Sequence, residues 1–240
     1  MGFIKTFKRR LKKLHPLYSE IERVNKRLDK IFEILDPDSF HTSGERQVSS
    51  SLEKIRPDHL GRYEFAAHYI KDNSNVLDIA CGIGYGSFIA AKASPGANIL
   101  GVDISEKAIE YANQYYKLEN NRFIVGDCHK VELPKSSYDV VISFETIEHI
   151  EGADIFLKRL NASMKPGGIL LCSTPNQQRL PYSAKDFPHH LRHYTLTEFE
   201  QLVTNAGFNV DSMHSQHERK SKLVSDDSEG LYHIFVCRKL

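Results

Sequence analysis

The chain has 240 residues, of which 40% are hydrophobic and 26% charged. That composition excludes a disordered or fibrous chain, and no apolar run approaches the roughly 18 residues that a membrane-spanning helix needs. The formal charge of +1 is a sum of unequal parts: residues 1–35 hold ten Lys/Arg and four Asp/Glu (+6), and residues 36–240 hold the other 22 basic and 27 acidic residues (−5).

Residues 1–35 are expected to form a basic helical arm. Apolar or aromatic residues recur at Phe7, Leu11, Leu14, Tyr18, Ile21, Leu28, Phe32 and Leu35, with Asn25 as the polar residue on that seam. The spacing alternates four and three, the rhythm of a short coiled coil. Pro16 divides the arm. The piece before it carries Lys5, Lys8, Arg9, Arg10, Lys12 and Lys13 without an acid. A basic amphipathic helix suits a membrane surface or a partner chain, so the arm is expected to contact a membrane or build a homodimer. Residues 36–54 have turn and linker chemistry, with Asp36-Pro37-Asp38-Ser39 and Ser49-Ser50-Ser51. The main domain is expected over 55–240.

From there helix and strand alternate. Helices are expected over 59–71, 85–94, 105–116, 152–163 and 197–206. Strands are expected over 75–80, 97–102, 121–126, 138–144 and 167–173, with two more over 208–216 and 231–238. Strands separated by single helices imply an α/β, doubly wound, mostly parallel sheet, here of seven strands, with helices on both faces. The four cysteines Cys81, Cys128, Cys172 and Cys237 have no metal-ligand spacing and read as small hydrophobes, which suits a reducing cytoplasm.

The sharpest motif is Val76-Leu77-Asp78-Ile79-Ala80-Cys81-Gly82-Ile83-Gly84-Tyr85-Gly86, an apolar strand running through a Gly-rich turn into a helix. Glycines there let the backbone approach a ligand, and the helix start favours a negative group. Asp103 ends the second strand and Asp127 the third. Acids are rarely buried without partners, and strand carboxyl ends are where such folds bind ligands. A carboxylate after the second strand accepts from ribose hydroxyls. One after the third can accept from a purine amino group. Asp78, just before the turn, suits an ammonium or sulfonium better than a diphosphate. S-adenosyl-L-methionine has a ribose diol, an adenine and an ammonium, and fits this set.

The stretch from about Asn75 to Phe208 resembles class I S-adenosylmethionine-dependent methyltransferases, which have a Rossmann-like fold. The resemblance rests on Leu77–Gly84, Gly101-Val102-Asp103-Ile104-Ser105, Gly126-Asp127-Cys128, Tyr138–Glu145 and Leu160–Gly168. Ala80 departs from it, standing where many members have glycine. The resemblance implies that Gly82 and Gly84 line the methionine part of the cofactor, with Asp78 near its amino group. It implies Asp103 on the ribose, Ile104 against adenine, and Asp127 and Cys128 at the adenine edge. Phe144 and Glu145 would lie near the transferred methyl, and Lys165-Pro166-Gly167-Gly168 would be a turn before the fifth strand. A narrower resemblance, through Gly44-Glu45-Arg46, His59–Ala66 and Ser143–Ile150, is to methyltransferases of bacterial polysaccharide and glycan biosynthesis. It implies a glycan or sugar-containing acceptor, with His59 and Arg62 in a lid over the cofactor.

Transfer of a methyl group to an alcohol requires removal of a proton, and His is the commonest base near neutral pH. His149 follows the fourth strand, and His189 and His190 lie in the loop after the fifth; these are the candidate catalytic bases. His193 joins that run, and Arg192, His193 and Tyr194 can equally anchor the loop. No metal is expected. A body charge of −5 argues against a nucleic-acid partner. Small-molecule methylation of a phenol or quinone, and a non-catalytic adaptor, are the competing readings. The expected location is cytoplasmic, at the inner face of a membrane if the arm binds one.

Overall fold

The computed structural model describes residues 47–240 and Val24, which is helical and exposed. The expectations for the basic arm and for residues 36–46 otherwise lie outside the described residues. Gln47–Leu240 forms one compact unit. Residues 47–54, expected in the linker, are part of it. The Ser49 carbonyl accepts from the Tyr116 hydroxyl, Leu52–Lys54 form a short 3-10 turn, and Ile55 behind them is buried.

Seven strands make one sheet: β1 (Asn75–Ile79), β2 (Asn98–Asp103), β3 (Asn121–Val125), β4 (Tyr138–Phe144), β5 (Met164–Pro175), β6 (Phe208–Gln216) and β7 (Tyr232–Lys239). Their order is β3-β2-β1-β4-β5-β7-β6. The first five run parallel, whereas β7 is antiparallel to both β5 and β6. Five helices connect and flank them: α1 (Pro57–Ala67), α2 (Tyr85–Ala93), α3 (Glu106–Tyr115), α4 (Ala153–Ser163) and α5 (Leu196–Asn205). This is the expected Rossmann-like arrangement. Strand order reverses between β1 and β4, and such a reversal opens a crevice at the strands' carboxyl ends.

The parallel strands read as apolar runs because both faces are covered. On one face Leu77, Ile79, Val141, Leu170 and Phe235 pack with Phe156, Leu157 and Leu160 of α4 and Phe199 and Val203 of α5. The alternate residue of β1, Asp78, points to the other face, towards α1 and α2. Caps fix two helix starts. Ser105 Oγ accepts from the Ala108 amide ahead of α3, and Thr195 and Glu198 form a reciprocal capping box at α5.

Two boundaries differ from expectation by several residues: α1 ends at Ala67 and not at 71, and β5 starts at Met164 and not at 167. Lys165-Pro166-Gly167-Gly168 was expected as a turn, but β5 begins at Met164. Tyr138 pairs with Met164 and Val140 with Ile169, so the extra residues form an irregularity within the ladder. Gly167 takes φ +75°, and Lys165 Nζ lies 2.8 Å from both oxygens of Asp139.

Candidate active site

The loop after β1 reverses on three residues in the left-handed region: Ala80 (φ +62°), Gly82 (+57°) and Gly84 (+85°). The amide of Gly84 donates to the Cys81 carbonyl, and the amide of Cys81 to the Val102 carbonyl. The two glycines do different work. A Cβ on Gly82 would meet nothing within 4 Å, so its free side faces open space at the strand ends. A Cβ on Gly84 would lie 2.7 Å from Ala112 of α3 and from the Phe123 ring of β3. Gly84 therefore lets α3 and β3 close on the turn, and Gly82 leaves the room a ligand needs.

Asp103 shapes the same cradle. One carboxylate oxygen accepts from the Gly82 amide and the other from the Ser105 amide, each at 2.9 Å. Next to it Ile104 is 65% exposed, an apolar side chain held in solvent at a strand end. At the end of β3, Asp127 accepts from the His129 amide at 2.8 Å and pairs with Lys130. These contacts hold its carboxyl below the ordinary range, the His129 amide foremost. Cys128 is half-buried, and burial raises its thiol. Gly82, Asp103, Ile104, Asp127 and Cys128 thus gather at the carboxyl ends of β1, β2 and β3. An open glycine, an anionic acceptor and an exposed apolar side chain in that order suit S-adenosylmethionine.

Asp78 stands apart from this group. It is fully buried, and its two oxygens accept from Tyr63 of α1 (3.1 Å) and Ser87 of α2 (2.6 Å). Burial pushes its pKa up to about 7 against the pull of the two hydroxyls. It joins β1 to two helices. Tyr63 is the residue that sequence reasoning missed. Its ring lies over Gly86, where a Cβ would meet it at 2.1–2.4 Å, and edge-on to Phe144 at 5.2 Å between centroids. The signal was available as an aromatic one turn from Leu60 on the buried side of α1.

Arg62 is buried in that same helix. Its Nη1 donates to Gln216 at 2.7 Å, and its guanidinium lies 4.9 Å from the centre of the Tyr232 ring. Nη2 sits 3.9 Å from Asp58, close enough for an ion pair but beyond hydrogen-bond reach, and has no hydrogen-bond partner. Arg62 thereby ties α1 to β6 and β7. His59 bonds the Tyr85 hydroxyl at 2.8 Å, and burial lowers its pKa.

The end of β4 carries the acceptor-side residues. Glu145 follows Phe144 at φ +49°, an uncommon conformation for a residue with a Cβ. Ser173 Oγ accepts from the Glu145 amide and donates to its carboxylate, which fixes the turn. A short 3-10 turn, Ile147–His149, then buries Glu148 completely. Oε2 of Glu148 accepts from Thr174 at 3.3 Å, whereas Oε1 has no hydrogen-bond partner. Burial, helped by the charge of Glu145, raises its pKa.

The loop between β5 and α5 returns over this turn, with the Leu191 amide donating to the Glu148 carbonyl. It brings His190 against His149, with ring centroids 4.5 Å apart. His149 Nδ1 lies 2.9 Å from the His189 carbonyl, and His190 Nδ1 lies 2.7 Å from His193 Nε2. Burial and the neighbouring histidines lower the pKa of His190 to about 3. Of the three candidate bases, His149 and His190 therefore lie against each other, while His189 is exposed and contributes its carbonyl.

A Rossmann-like sheet with an open glycine turn and strand-end acids defines an enzyme that binds an adenosine-containing cofactor. Residues 70–227 match the family described as a methyltransferase domain. The chain is 30% identical over 182 residues to a probable S-adenosylmethionine-dependent methyltransferase of Mycolicibacterium smegmatis, covering 73% of this chain and 68% of that protein. It belongs to the S-adenosylmethionine-dependent methyltransferases, and S-adenosylmethionine is its cofactor. It is also 32% identical over 164 residues to the ubiquinone biosynthesis O-methyltransferase of Rickettsia typhi, covering 66% of this chain and 64% of that protein. Among solved structures, phosphoethanolamine N-methyltransferase 2 of Haemonchus contortus, in complex with S-adenosyl-L-methionine, is 27% identical with a TM-score of 0.54. That match covers 62% of this chain and 37% of the other. The chain spans less than a third (28–29%) of the plant phosphoethanolamine N-methyltransferases it also matches.

Proposed function

We propose that the protein transfers a methyl group to a hydroxyl oxygen of a small or chain-borne acceptor. The cofactor supplies an electrophilic methyl on a good leaving group, so binding and positioning provide much of the rate. Gly82, Asp103, Ile104, Asp127 and Cys128 would hold it, with Phe144 and Glu145 at the methyl end. Gly84 and Asp78 support the cradle from behind, and Ala80 sets its turn. Arg62 would keep α1 closed beside it. The observation that carries oxygen as the acceptor is the Glu148, His149 and His190 cluster after β4. An amine nucleophile needs no anionic form, but an alcohol must lose a proton, and this cluster is built for that demand.

Two acceptor classes fit. A sugar or glycan hydroxyl rests on the upstream motif resemblance alone. A phenol or quinol has further support from the Rickettsia relative named for ubiquinone biosynthesis, and we favour it. We also propose that the arm, residues 1–35, holds the enzyme at an anionic membrane surface by its charge of +6 (ten basic against four acidic residues), or to a second copy by its apolar seam of four-and-three spacing.

Two measurements test the reading. In calorimetry, Asp103→Ala should weaken S-adenosylmethionine binding about 10- to 100-fold, the cost of a hydrogen bond to a charged group; unchanged affinity in a folded variant would remove Asp103 from the site. Labelled methyl transfer to sugars, phenols and amines should label oxygen. Label on nitrogen alone would refute the oxygen assignment.

A further inference from the structure

We infer that Glu148, His149 and His190 form a binding site for a divalent transition-metal ion beside the end of β4. One ligand atom from each residue lies within 4.8 Å of the others. Two imidazoles and a carboxylate, with positions left over, make a donor set suited to zinc, iron(II), cobalt(II) or manganese(II).

Proximity alone would not carry this, but two further observations point inward. The first is Glu148 Oε1. It belongs to a fully buried side chain and has no hydrogen-bond partner, although its sister oxygen is bonded to Thr174. Leaving a buried carboxylate oxygen unpaired is costly, and a cation at its face would offset that cost.

The second is the tautomer that the surroundings impose. A carbonyl oxygen can only accept, so His149 Nδ1 must donate to the His189 carbonyl. That leaves the lone pair of neutral His149 on Nε2. The same logic runs through two rings at His190. His193 Nδ1 lies against the Leu180 carbonyl and must donate, so His193 Nε2 accepts. His190 Nδ1 therefore donates to it, and the lone pair of His190 also falls on Nε2. Outer hydrogen bonds that fix ring tautomers in this way are characteristic of metal-binding histidines. His193 would act as a positioning residue, holding His190 in its ligating form. Glu145 contributes negative charge close to Glu148.

The expectation of a metal-free site gives way on these grounds. The binding site stands on geometry. Its purpose, to acidify an acceptor hydroxyl at an open coordination position, rests on the oxygen reading above.

The test uses the full chain, stripped with chelator and titrated with cobalt(II) alone. Visible d–d bands should appear and saturate at one equivalent per chain, and zinc should displace them. Glu148→Gln and His190→Asn should each weaken binding at least tenfold, whereas His217→Gln, an exposed ring paired with Asp227, should not change it. His193→Phe should weaken binding with all three ligands intact. Calorimetry with S-adenosylmethionine on each protein shows whether a variant has folded and keeps this question apart from cofactor binding. Absence of cobalt bands in the wild-type chain would overturn the site, as would equal binding by folded Glu148→Gln and His190→Asn chains.

Discussion

Single residues at the cradle divide into those whose purpose is local and those whose purpose is set by distant neighbours. Asp103 and Asp127 could be read from the sequence because a strand end is a local event, a short apolar run and then an acid, whereas Ile104 came only with the family resemblance. Gly84 could not be resolved the same way. Its spacing matches Gly82, yet it yields to Ala112 and Phe123, which other parts of the chain deliver. The two positions should therefore respond differently to a methyl group. Gly84→Ala adds left-handed strain of roughly 1–2 kcal/mol and an overpacked contact costing about 1–3 kcal/mol more. Gly82→Ala incurs the strain alone, and its methyl projects into the ligand's space. We expect Gly84→Ala to melt markedly lower than Gly82→Ala, and Gly82→Ala to show the greater loss of cofactor affinity relative to its loss of stability. Equal melting temperatures would dissolve the distinction. Asp78 teaches the same lesson, since its bonds to Tyr63 and Ser87 on two different helices leave no spacing signature around the carboxylate itself.

At the scale of elements, local chemistry marked most of the boundaries. β4 and β6 begin and end where the apolar run and its turn residues place them, and Thr195 and Glu198 announce α5 by their capping box. The start of β5 was illegible because Pro166 and Gly167 are turn residues in isolation. Pairing with Tyr138 and the Lys165–Asp139 ion pair, both tertiary, carry the strand through them. The antiparallel β7 likewise depends on where the chain returns, which periodicity does not encode. The basic arm has strong local signals and is separable in sequence from the compact unit Gln47–Leu240. Removing residues 1–35 should therefore leave the S-adenosylmethionine affinity of the body within about twofold. The same deletion should abolish either flotation with anionic vesicles or concentration-dependent dimerisation measured by sedimentation. Loss of cofactor binding would show that the arm belongs to the site, and unchanged sedimentation and flotation would remove its proposed role.

For the molecule as a whole, the cost of burying ionisable groups should appear as two pH dependences of stability that have opposite sign and share one window. Asp78 titrates near 7 in the fold because burial disfavours its charge, whereas in an unfolded chain it titrates near the ordinary 3.8. Between these values the folded state holds a proton that the unfolded state has released, so stability falls as pH rises through this window. His233 has the opposite sign. Buried on β7, with neither ring nitrogen hydrogen-bonded, it titrates near 4 in the fold rather than 6.5. Its contribution is complete above 6.5 and is lost as pH falls towards 4. Each group can tilt the stability curve by at most about 1.4 kcal/mol per pH unit while one proton is in question. Thermal melts without cofactor separate the two. The difference between wild type and Asp78→Asn should shrink in wild type's disfavour as pH rises from 5 to 8, because only the wild type carries the ionisation penalty. Relative to His233→Phe, the wild type should lose stability as pH falls from 7 to 4. Parallel curves for either pair would mean that the group titrates alike in both states and that its burial carries no electrostatic cost. Because the window of His233, from about 4 to 6.5, lies inside that of Asp78, from 3.8 to about 7, the two slopes oppose each other there and largely cancel in the wild type, so each becomes visible only against its own variant.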